Sequence, residues 1–552
     1  MSDKDSRKAK FDWKEIDKRV MIPGSVCLLL VVLIGAVFPT RSETALTAAV
    51  AWIMDHFKWM YIIFIVGVTI FSLWLVFSKT GDVKLGGKKA KPSFSMLTWI
   101  TLSLTGTIAV GICFYGVSGP VNTFMNMPKF LEVQGFKSGT PQAVVPTLEY
   151  CFLHYGIPSY FLMVFFGLAI AILYYNGKKD LHGSSTLYPL LGEKTKGIIG
   201  QLVNIMMIVC LIVCGTNMGL AVIQLNSGIG TVAGMSHTPN FLMALIIFYT
   251  VATVIFATSG AHKLMGKLSN INAVCYVIIL VFILFATNFN RTFELLFTSV
   301  GRFVMDFVPM VTFGDPVYQT GWQNSNSMFY FAWNFVPAMM QCLFYVSISY
   351  GRTLRQFIVV NCLVPCIVVF TWYSAFGGNA MFGILNGSNL WVQMQKFGAG
   401  ISTFAFLGTL PLGNVMKWFF LIVAIMTFIT FSDSVAYSFP MLFLKDTEAD
   451  PSLTKQPKIL NAAIAIFMGV LTAVLLFVGG YDALNMVVVV LGFPACVIQI
   501  FVLISIVKFL RNREKYDITY QEEMKEKEAA RKEEIRAIER EELEKQAASP
   551  EG

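Results

Sequence analysis

Residues 322–357 read WQNSNSMFYFAWNFVPAMMQCLFYVSISYGRTLRQF, an apolar run with Asn334 and Pro337 in its middle and arginines near its end. Residues 328–350 are long enough to cross a bilayer, because a helical span needs about 20 mainly apolar residues. An amide in hydrocarbon needs a partner, and aromatic faces attract cationic groups. The stretch therefore predicts a transmembrane helix whose aromatic residues either bind a cationic solute or pack in the core.

Comparable apolar runs fill most of the chain. Of its 552 residues, 55% are hydrophobic and 14% are charged, against about 25% charged in a typical soluble domain. A soluble protein of this size has no core that could hide so much apolar surface, so an all-α integral membrane fold is predicted. The twelve predicted spans are residues 20–38, 59–77, 96–118, 152–175, 197–224, 240–258, 271–285, 328–350, 357–376, 415–437, 459–478 and 483–508.

Lysine and arginine are distributed unevenly between the loops of the two sides. The side that carries both tails holds Lys79, Lys84, Lys88, Lys89, Lys91, Lys178, Lys179, Lys194, Lys196, Lys263, Lys267, Arg352, Arg355, Lys445, Lys455 and Lys458. The other side holds Arg41, Lys58, Lys129, Lys137, Arg291, Arg302, Lys396 and Lys417. The positive-inside rule predicts a multi-pass protein of the cell (inner) membrane with both termini in the cytoplasm. It also accounts for the net charge of +9 without a nucleic-acid partner.

Three segments lie outside the spans. Residues 293–309 are apolar but interrupted by charge, so they predict an interfacial helix on the outer side, too short and too charged to cross. Residues 390–397 predict a second, shorter one. The tail from residue 511 pairs Glu and Lys four residues apart, as in Glu523 and Lys527, which predicts a solvated helix. Either this helix has no further role or it regulates the protein.

Interrupted helices supply free backbone groups at the bilayer midplane in many transporters. The third span has small residues at Gly106, Ala109, Gly111 and Gly116, which permit either an unwound segment or close helix packing. A Phe-Tyr pair followed by a proline recurs in the third and eighth spans. This recurrence indicates two five-helix inverted repeats, spans 3–7 and 8–12, after two additional helices.

The tenth span carries Thr430, Ser432 and Asp433 in an otherwise apolar helix. Such groups are costly in lipid unless they are paired, so they predict either a coupling site or a structural hydrogen-bond cluster. The histidines and cysteines lack metal-ligand spacing, and the sequence contains no Walker motif and no recognisable catalytic triad. An enzyme or an ATP-driven pump is therefore not expected, and neither is a cofactor.

A set of motifs extends from the fourth span to the tenth. Trp322-Gln323, Phe329-Tyr330 and Ala332-Trp333 precede residues 349–357, SYGRTLRQF, and residues 430–434 read TFSDS. Together with residues 219–228, residues 259–272 and the pair His154-Tyr155, they resemble the motifs of the betaine/carnitine/choline transporter family. The resemblance covers about residues 20–510.

The resemblance implies a LeuT-like fold of two inverted repeats, usually a homotrimer, that moves quaternary ammonium solutes by Na⁺ symport or by exchange. Its substrate box draws aromatic residues from the fourth and eighth spans. The residues matched by position are Tyr155, Tyr160, Tyr330 and Trp333, and Tyr115 beside the third-span break is added on local grounds. The implied partners are a small-molecule solute and the lipid bilayer.

The chain departs from the family pattern at both sites. Asn334 replaces a tryptophan and Pro337 replaces another aromatic residue, so Asn334 becomes a hydrogen-bonding candidate for the substrate. The ion or coupling candidates of the third and tenth spans are Thr105, Ile108, Thr430, Ser432 and Asp433. Phe431 stands where a serine is expected, and its side chain offers no oxygen to a hard cation. We therefore expect no strong Na⁺ coupling.

The predicted domains are a cytoplasmic tail (1–19), two extra helices and a loop (20–95), the first repeat (96–290), an outer amphipathic helix and loop (291–327), the second repeat (328–510) and a charged cytoplasmic helix (511–552). The leading interpretation is a secondary transporter of betaine-, carnitine- or choline-like solutes, quaternary or otherwise methylated amines, working by alternating access. Two alternatives stay open: the same fold moving another zwitterion such as an amino acid, and a solute sensor that does not transport. The sequence does not specify the solute, the stoichiometry, or symport against exchange.

Overall fold

A computed structural model describes residue 13 and residues 16–107, 109–234, 238–259, 262–445, 457–478 and 480–547. Within these residues the regular structure is helical, and the β-bridges Ile16 with Leu444 and Lys84 with Thr353 are isolated. Twelve helices of this described part are long and apolar enough to cross a membrane. The predicted all-α membrane fold is confirmed.

Seven of the predicted spans are single helices, and most begin and end within a few residues of the predicted limits. They are Lys18–Val37, Pro39–Phe77, Pro239–Thr258, His262–Ala286, Ser327–Ile348, Lys458–Val478 and Gly480–Arg511. The second span differs most, because its helix has 39 residues and begins at Pro39, where proline is well tolerated as the first helical residue. The first half of this helix is more polar than the second, so a search for apolar residues finds only the second half.

The other five predicted spans are interrupted. The described residues of the third form Met96–Thr107, Ala109–Cys113 and Tyr115–Met125, with an interruption at Phe114. The fourth consists of Val144–Tyr155, Ile157–Ala171 and the π-helical Ile172–Asn176. The fifth consists of Ile198–Val209 and Ile212–Ala233, and the tenth of Gly413–Ser438 with Phe439–Phe443. The ninth consists of Leu354–Ile358, Val359–Leu363, Val364–Trp372, Tyr373–Gly378 and Asn379–Leu385. The third span is not one of the twelve long helices found among the described residues.

The helix Phe289–Thr312 is the twelfth long helix instead. The helix is longer than the predicted residues 293–309, and its 24 residues would suffice by length and composition to cross a membrane; its place at the outer interface stays a prediction. It starts early because the side chain of Asn288 caps its N-terminus. Its arginine Arg302 forms an ion pair with the buried Glu149 of the fourth span at 3.1 Å between Nε and Oε1. This pairing removes much of the cost of charge in the helix.

The fourth and eighth spans form the centre of the molecule. They are the most buried of the long helices, whereas the first and seventh spans are the least buried. The two central spans pack along each other. A Cβ on Gly167 of the fourth span would lie 3.2 Å from the Cys342 carbonyl oxygen of the eighth, so glycine permits this close approach.

The predicted helices outside the membrane core are present as helices. Residues 390–397 form the helix Leu390–Phe397, and the tail forms Arg513–Tyr516 and the largely exposed Ile518–Ala547. The long tail helix is tied to the loop after the second span by an ion pair between Glu526 and Lys89 at 2.7 Å. Its first three turns therefore lie against this loop rather than standing free in solvent.

Candidate solute-binding site

The third span is broken within the stretch of small residues. Among its described residues, one helix ends at Cys113 and the next begins at Tyr115, with Phe114 in a turn between them. The Cys113 carbonyl accepts hydrogen bonds from the Gln224 side-chain amide and, at 3.3 Å, from the Thr403 hydroxyl. Backbone groups inside a membrane must find partners within the protein. Here the fifth span and the segment before the tenth supply them.

The small residues of the third span also allow close packing. A Cβ on Gly116 would lie 2.5 Å from Nε1 of Trp372 in the ninth span. A Cβ on Gly106 would lie 2.7 Å from ring atoms of Phe344 in the eighth span. The sequence offered unwinding and close packing as alternatives, and the structure contains both.

A cavity lies where the third, fourth, fifth, eighth, ninth and tenth spans meet. The described residues that line it are Gly111, Tyr115, His154, Tyr155, Ser159, Tyr160, Met163, Asn217, Phe329, Tyr330, Trp333, Asn334, Pro337, Gln341, Val369 and Phe431. All six substrate candidates are in this set, so the structure brings them together around one space. None of these described residues is Asp, Glu, Lys or Arg, and the cavity wall is aromatic and neutral-polar.

Tyrosine rings from four spans meet at Tyr155. Its ring centroid lies 5.4 Å from that of Tyr115, 5.0 Å from that of Tyr330 and 5.1 Å from that of Tyr373. The Tyr155 hydroxyl donates a hydrogen bond to the Tyr330 hydroxyl at 2.6 Å. The Tyr373 hydroxyl donates to the carbonyl of Gly111, beside the third-span break, at 2.8 Å. The cluster therefore links the aromatic residues to the interrupted backbone.

Sequence reasoning missed Tyr373. It lies in the ninth span, and neither the resemblance nor the local pattern pointed to that span for aromatic residues. A tyrosine within an apolar run next to Trp372 was the only available signal. Its contact with Tyr155 depends on the packing of two spans that are far apart in sequence.

Asn334 takes part in a chain of hydrogen bonds between the eighth and fourth spans. Its Nδ2 donates to Oγ of Ser159 at 2.8 Å, and the Ser159 hydroxyl donates to the carbonyl of His154 at 2.6 Å. The His154 ring stacks on Tyr330 with centroids 4.6 Å apart, and its Nε2 lies 2.9 Å from Oγ of Ser327. The amide predicted to need a partner in hydrocarbon therefore has one.

The ion or coupling candidates are arranged differently. Thr105 and Thr430 donate their hydroxyls to carbonyls four residues earlier in their own helices, both at 2.8 Å. Ser432 donates to the Tyr249 hydroxyl of the sixth span at 3.2 Å. Asp433 is buried, and its Oδ1 has no partner among the described residues. Ile108 lies outside the described residues.

These candidates do not form one cluster at the cavity. Phe431 is the tenth-span residue among the described cavity-lining residues, while the hydroxyl of Ser432 is bonded to the sixth span. The third and tenth spans do approach each other, since a Cβ on Gly106 would lie 3.3 Å from Oγ of Ser434. Ser434 itself donates to the Thr430 carbonyl at 2.7 Å.

Residues 19–515 match the family model described as BCCT, betaine/carnitine/choline family transporter. The chain belongs to this family. The glycine betaine transporter OpuD of Bacillus subtilis (strain 168) is 29% identical over 503 residues, which cover 89% of this chain and 94% of OpuD. The high-affinity choline transport protein of Escherichia coli (strain K12) is 26% identical over 504 residues, which cover 90% of this chain and 72% of that protein.

Membership confirms the resemblance that the motifs indicated. The chain is a multi-pass membrane protein and a secondary transporter of small solutes rather than an enzyme. The LeuT-like arrangement of two inverted five-helix repeats, spans 3–7 and 8–12, is what the family resemblance implies and stays a prediction. The third and eighth spans, which supply the break and the Trp333-Asn334 pair, are the first spans of these two predicted repeats.

Proposed function

We propose that this transporter moves a betaine-, carnitine- or choline-like solute, bearing a quaternary ammonium or another methylated amine, by alternating access. The observation that carries the proposal is the cavity in which Tyr115, Tyr155, Tyr330 and Trp333 meet without any charged side chain among the described lining residues. Each aromatic face attracts an alkylated ammonium by about 0.5–2 kcal/mol. The relatives named for glycine betaine and choline support the same class.

The test is counterflow in proteoliposomes containing the purified protein, with radiolabelled glycine betaine, N,N-dimethylglycine, carnitine and choline. We expect saturable accumulation of at least one of them. Competition by amino acids alone would favour the same-fold alternative. Saturable binding without accumulation would favour the sensor.

Transport is proposed not to depend strongly on Na⁺. Phe431 places a ring, which has no oxygen, in the cavity wall beside Thr430. The hydrogens of the Thr105 and Thr430 hydroxyls are directed to carbonyls of their own helices, and Ser432 is bonded to Tyr249. A hard cation needs several oxygen ligands together, and these hydroxyls are spread over separate contacts.

The membrane, orientation and assembly are also proposals. We place the protein in the cell (inner) membrane with both termini cytoplasmic, supported by the lysines of residues 79–91. A membrane-impermeant thiol reagent should label Lys137→Cys but not Lys88→Cys in intact cells. A homotrimer and the repeat limits 96–290 and 328–510 rest on the family pattern, and light scattering of the purified protein tests the trimer.

A further inference from the structure

The orientation of the Asn334 amide follows from its neighbours. The Ser159 hydroxyl has one hydrogen, and this hydrogen is donated to the His154 carbonyl at 2.6 Å. Ser159 can therefore only accept from Asn334, so the amide nitrogen must face Ser159. The other end of the amide, the carbonyl oxygen, accepts no hydrogen bond from any described residue. Asn334 thus contributes an acceptor to a cavity position where the family pattern has an indole ring.

A second acceptor lies next to the first in the same helix. In an α-helix the carbonyl of residue 333 accepts from the N–H of residue 337, and Pro337 has no N–H. Trp333, Asn334 and Pro337 all line the cavity. The carbonyl of Trp333 therefore lacks the N–H donor that an ordinary helix would give it, next to the side-chain acceptor of Asn334.

Two further amides border the same cavity. Asn217 of the fifth span and Gln341 of the eighth span are 4% and 3% exposed, and both line it. Their side chains make no hydrogen bond to any described residue, and their buried oxygens are without partners there. The N–H₂ groups of these amides are available as donors to a solute carboxylate.

We infer that the solute is a net-neutral zwitterion whose ammonium keeps at least one N–H, a secondary or tertiary methylamine rather than a trimethylammonium. The ammonium N–H is bound by the side-chain carbonyl oxygen of Asn334, and the carboxylate is bound by the amides of Asn217 and Gln341. A fully methylated ammonium has no N–H to give, so it leaves the Asn334 acceptor buried without a donor. A net cation would be enclosed without a counter-charge, since no described lining residue is acidic. This inference rests on the proposed function and narrows its solute class.

The wild-type protein provides the first test, because two probes differ by one methyl group. We expect counterflow of N,N-dimethylglycine with a KM about five- to hundredfold below that of glycine betaine, the range that an unmet buried acceptor produces. Glycine betaine equal to or better than dimethylglycine would overturn the inference and leave the proposed function intact, as would a preference for choline. Failure of every methylated amine would overturn the proposed function, and the inference would fall with it.

Variants test whether the preference for dimethylglycine over glycine betaine depends on the carbonyl oxygen of Asn334. Asn334→Leu keeps the side-chain size but removes the acceptor, so the KM ratio of the two probes should fall to within about twofold. Ser159→Ala removes the group that orients the amide and should lower the ratio as well, which keeps the test valid if Asn334→Leu fails to fold. Met339→Leu, a volume-conserving change on the same helix away from the lining residues, should leave the ratio unchanged. A ratio that stays fivefold or more in both Asn334→Leu and Ser159→Ala would overturn the inference.

Discussion

The third and eighth spans begin the two predicted repeats, yet they contribute to the cavity in different ways. The third span is in pieces, and its carbonyls at Gly111 and Cys113 are held by side chains from other spans. The eighth span is one helix, Ser327–Ile348, although it contains Pro337. The third span therefore supplies an interrupted backbone that its neighbours hold, while the unbroken eighth span supplies a row of side chains that line the cavity.

Composition explains the difference between the two helices. Glycines lower helix stability and let neighbours approach, so the third span tolerates breaks and close packing together. The eighth span has large apolar residues on all sides and is almost completely buried, so packing holds the helix across its proline. The side-chain amide of Gln499 also donates to the Phe335 carbonyl at 3.1 Å.

The largest expected effect is a loss of stability when a side chain is added at Gly116, where the third span packs against the ninth. Gly116→Val places side-chain carbon against the buried Trp372 ring, which leaves little room for movement. Overpacking of this kind destabilises by about 3 kcal/mol, so we expect a clear fall in the midpoint of thermal unfolding in detergent. Gly111→Ala is the matched control for stability, since nothing lies within 4 Å of its added Cβ. Equal midpoints for the two variants would show that the third span is not held by close packing.

The next effect comes from the side chain that holds the Cys113 carbonyl, beside the interruption of the third span at Phe114. Gln224→Leu removes the amide donor to the Cys113 carbonyl and should destabilise by about 2 kcal/mol, because a buried acceptor loses its main partner. Thr403→Val removes the longer bond of 3.3 Å and should cost less. Thermal unfolding of both variants checks the order. A larger loss in Thr403→Val would reverse the roles assigned to the two donors.

The eighth span should affect binding more than stability. Trp333→Ala is expected to weaken solute affinity by about 1–2 kcal/mol, the worth of a partly desolvated cation–π contact. Trp333→Phe keeps a ring and should lose less. Titration calorimetry measures the affinity without relying on tryptophan fluorescence. If Trp333→Ala bound the solute as tightly as the wild type, the assignment of Trp333 to the site would be contradicted.

The smallest expected effect is the change in solute uptake when external Na⁺ is replaced by another cation. If the third-span backbone and tenth-span hydroxyls do not assemble a sodium site, replacing Na⁺ with K⁺ in a choline-free buffer should change uptake by less than about twofold, since too few oxygens meet there. Initial rates of radiolabelled solute uptake provide the measurement. A steep loss of uptake would mean that the third and tenth spans bind Na⁺ together.

Several features were predictable from residue patterns because their causes are local. Apolar length gave the positions of the spans, and small residues allowed either a break or close packing in the third span. Motif positions pointed to Tyr155, Tyr160, Tyr330 and Trp333, whereas Tyr115 came from local grounds and Asn334 from a departure from the motif. All six line one cavity. The second span and the helix Phe289–Thr312 were predicted too short, because apolar patterns do not register helix that continues through polar or ion-paired residues.

By itself, the sequence determined an all-helical membrane protein of this transporter family, since helix length, loop charge and motifs are properties of neighbouring residues. Only the tertiary structure decided that Tyr373 joins Tyr155, that Gln224 holds the carbonyl of Cys113, and that Ser159 directs the amide of Asn334. Each of these contacts joins residues from different spans. Their partners are chosen by helix packing, which aligns side chains that no local pattern relates.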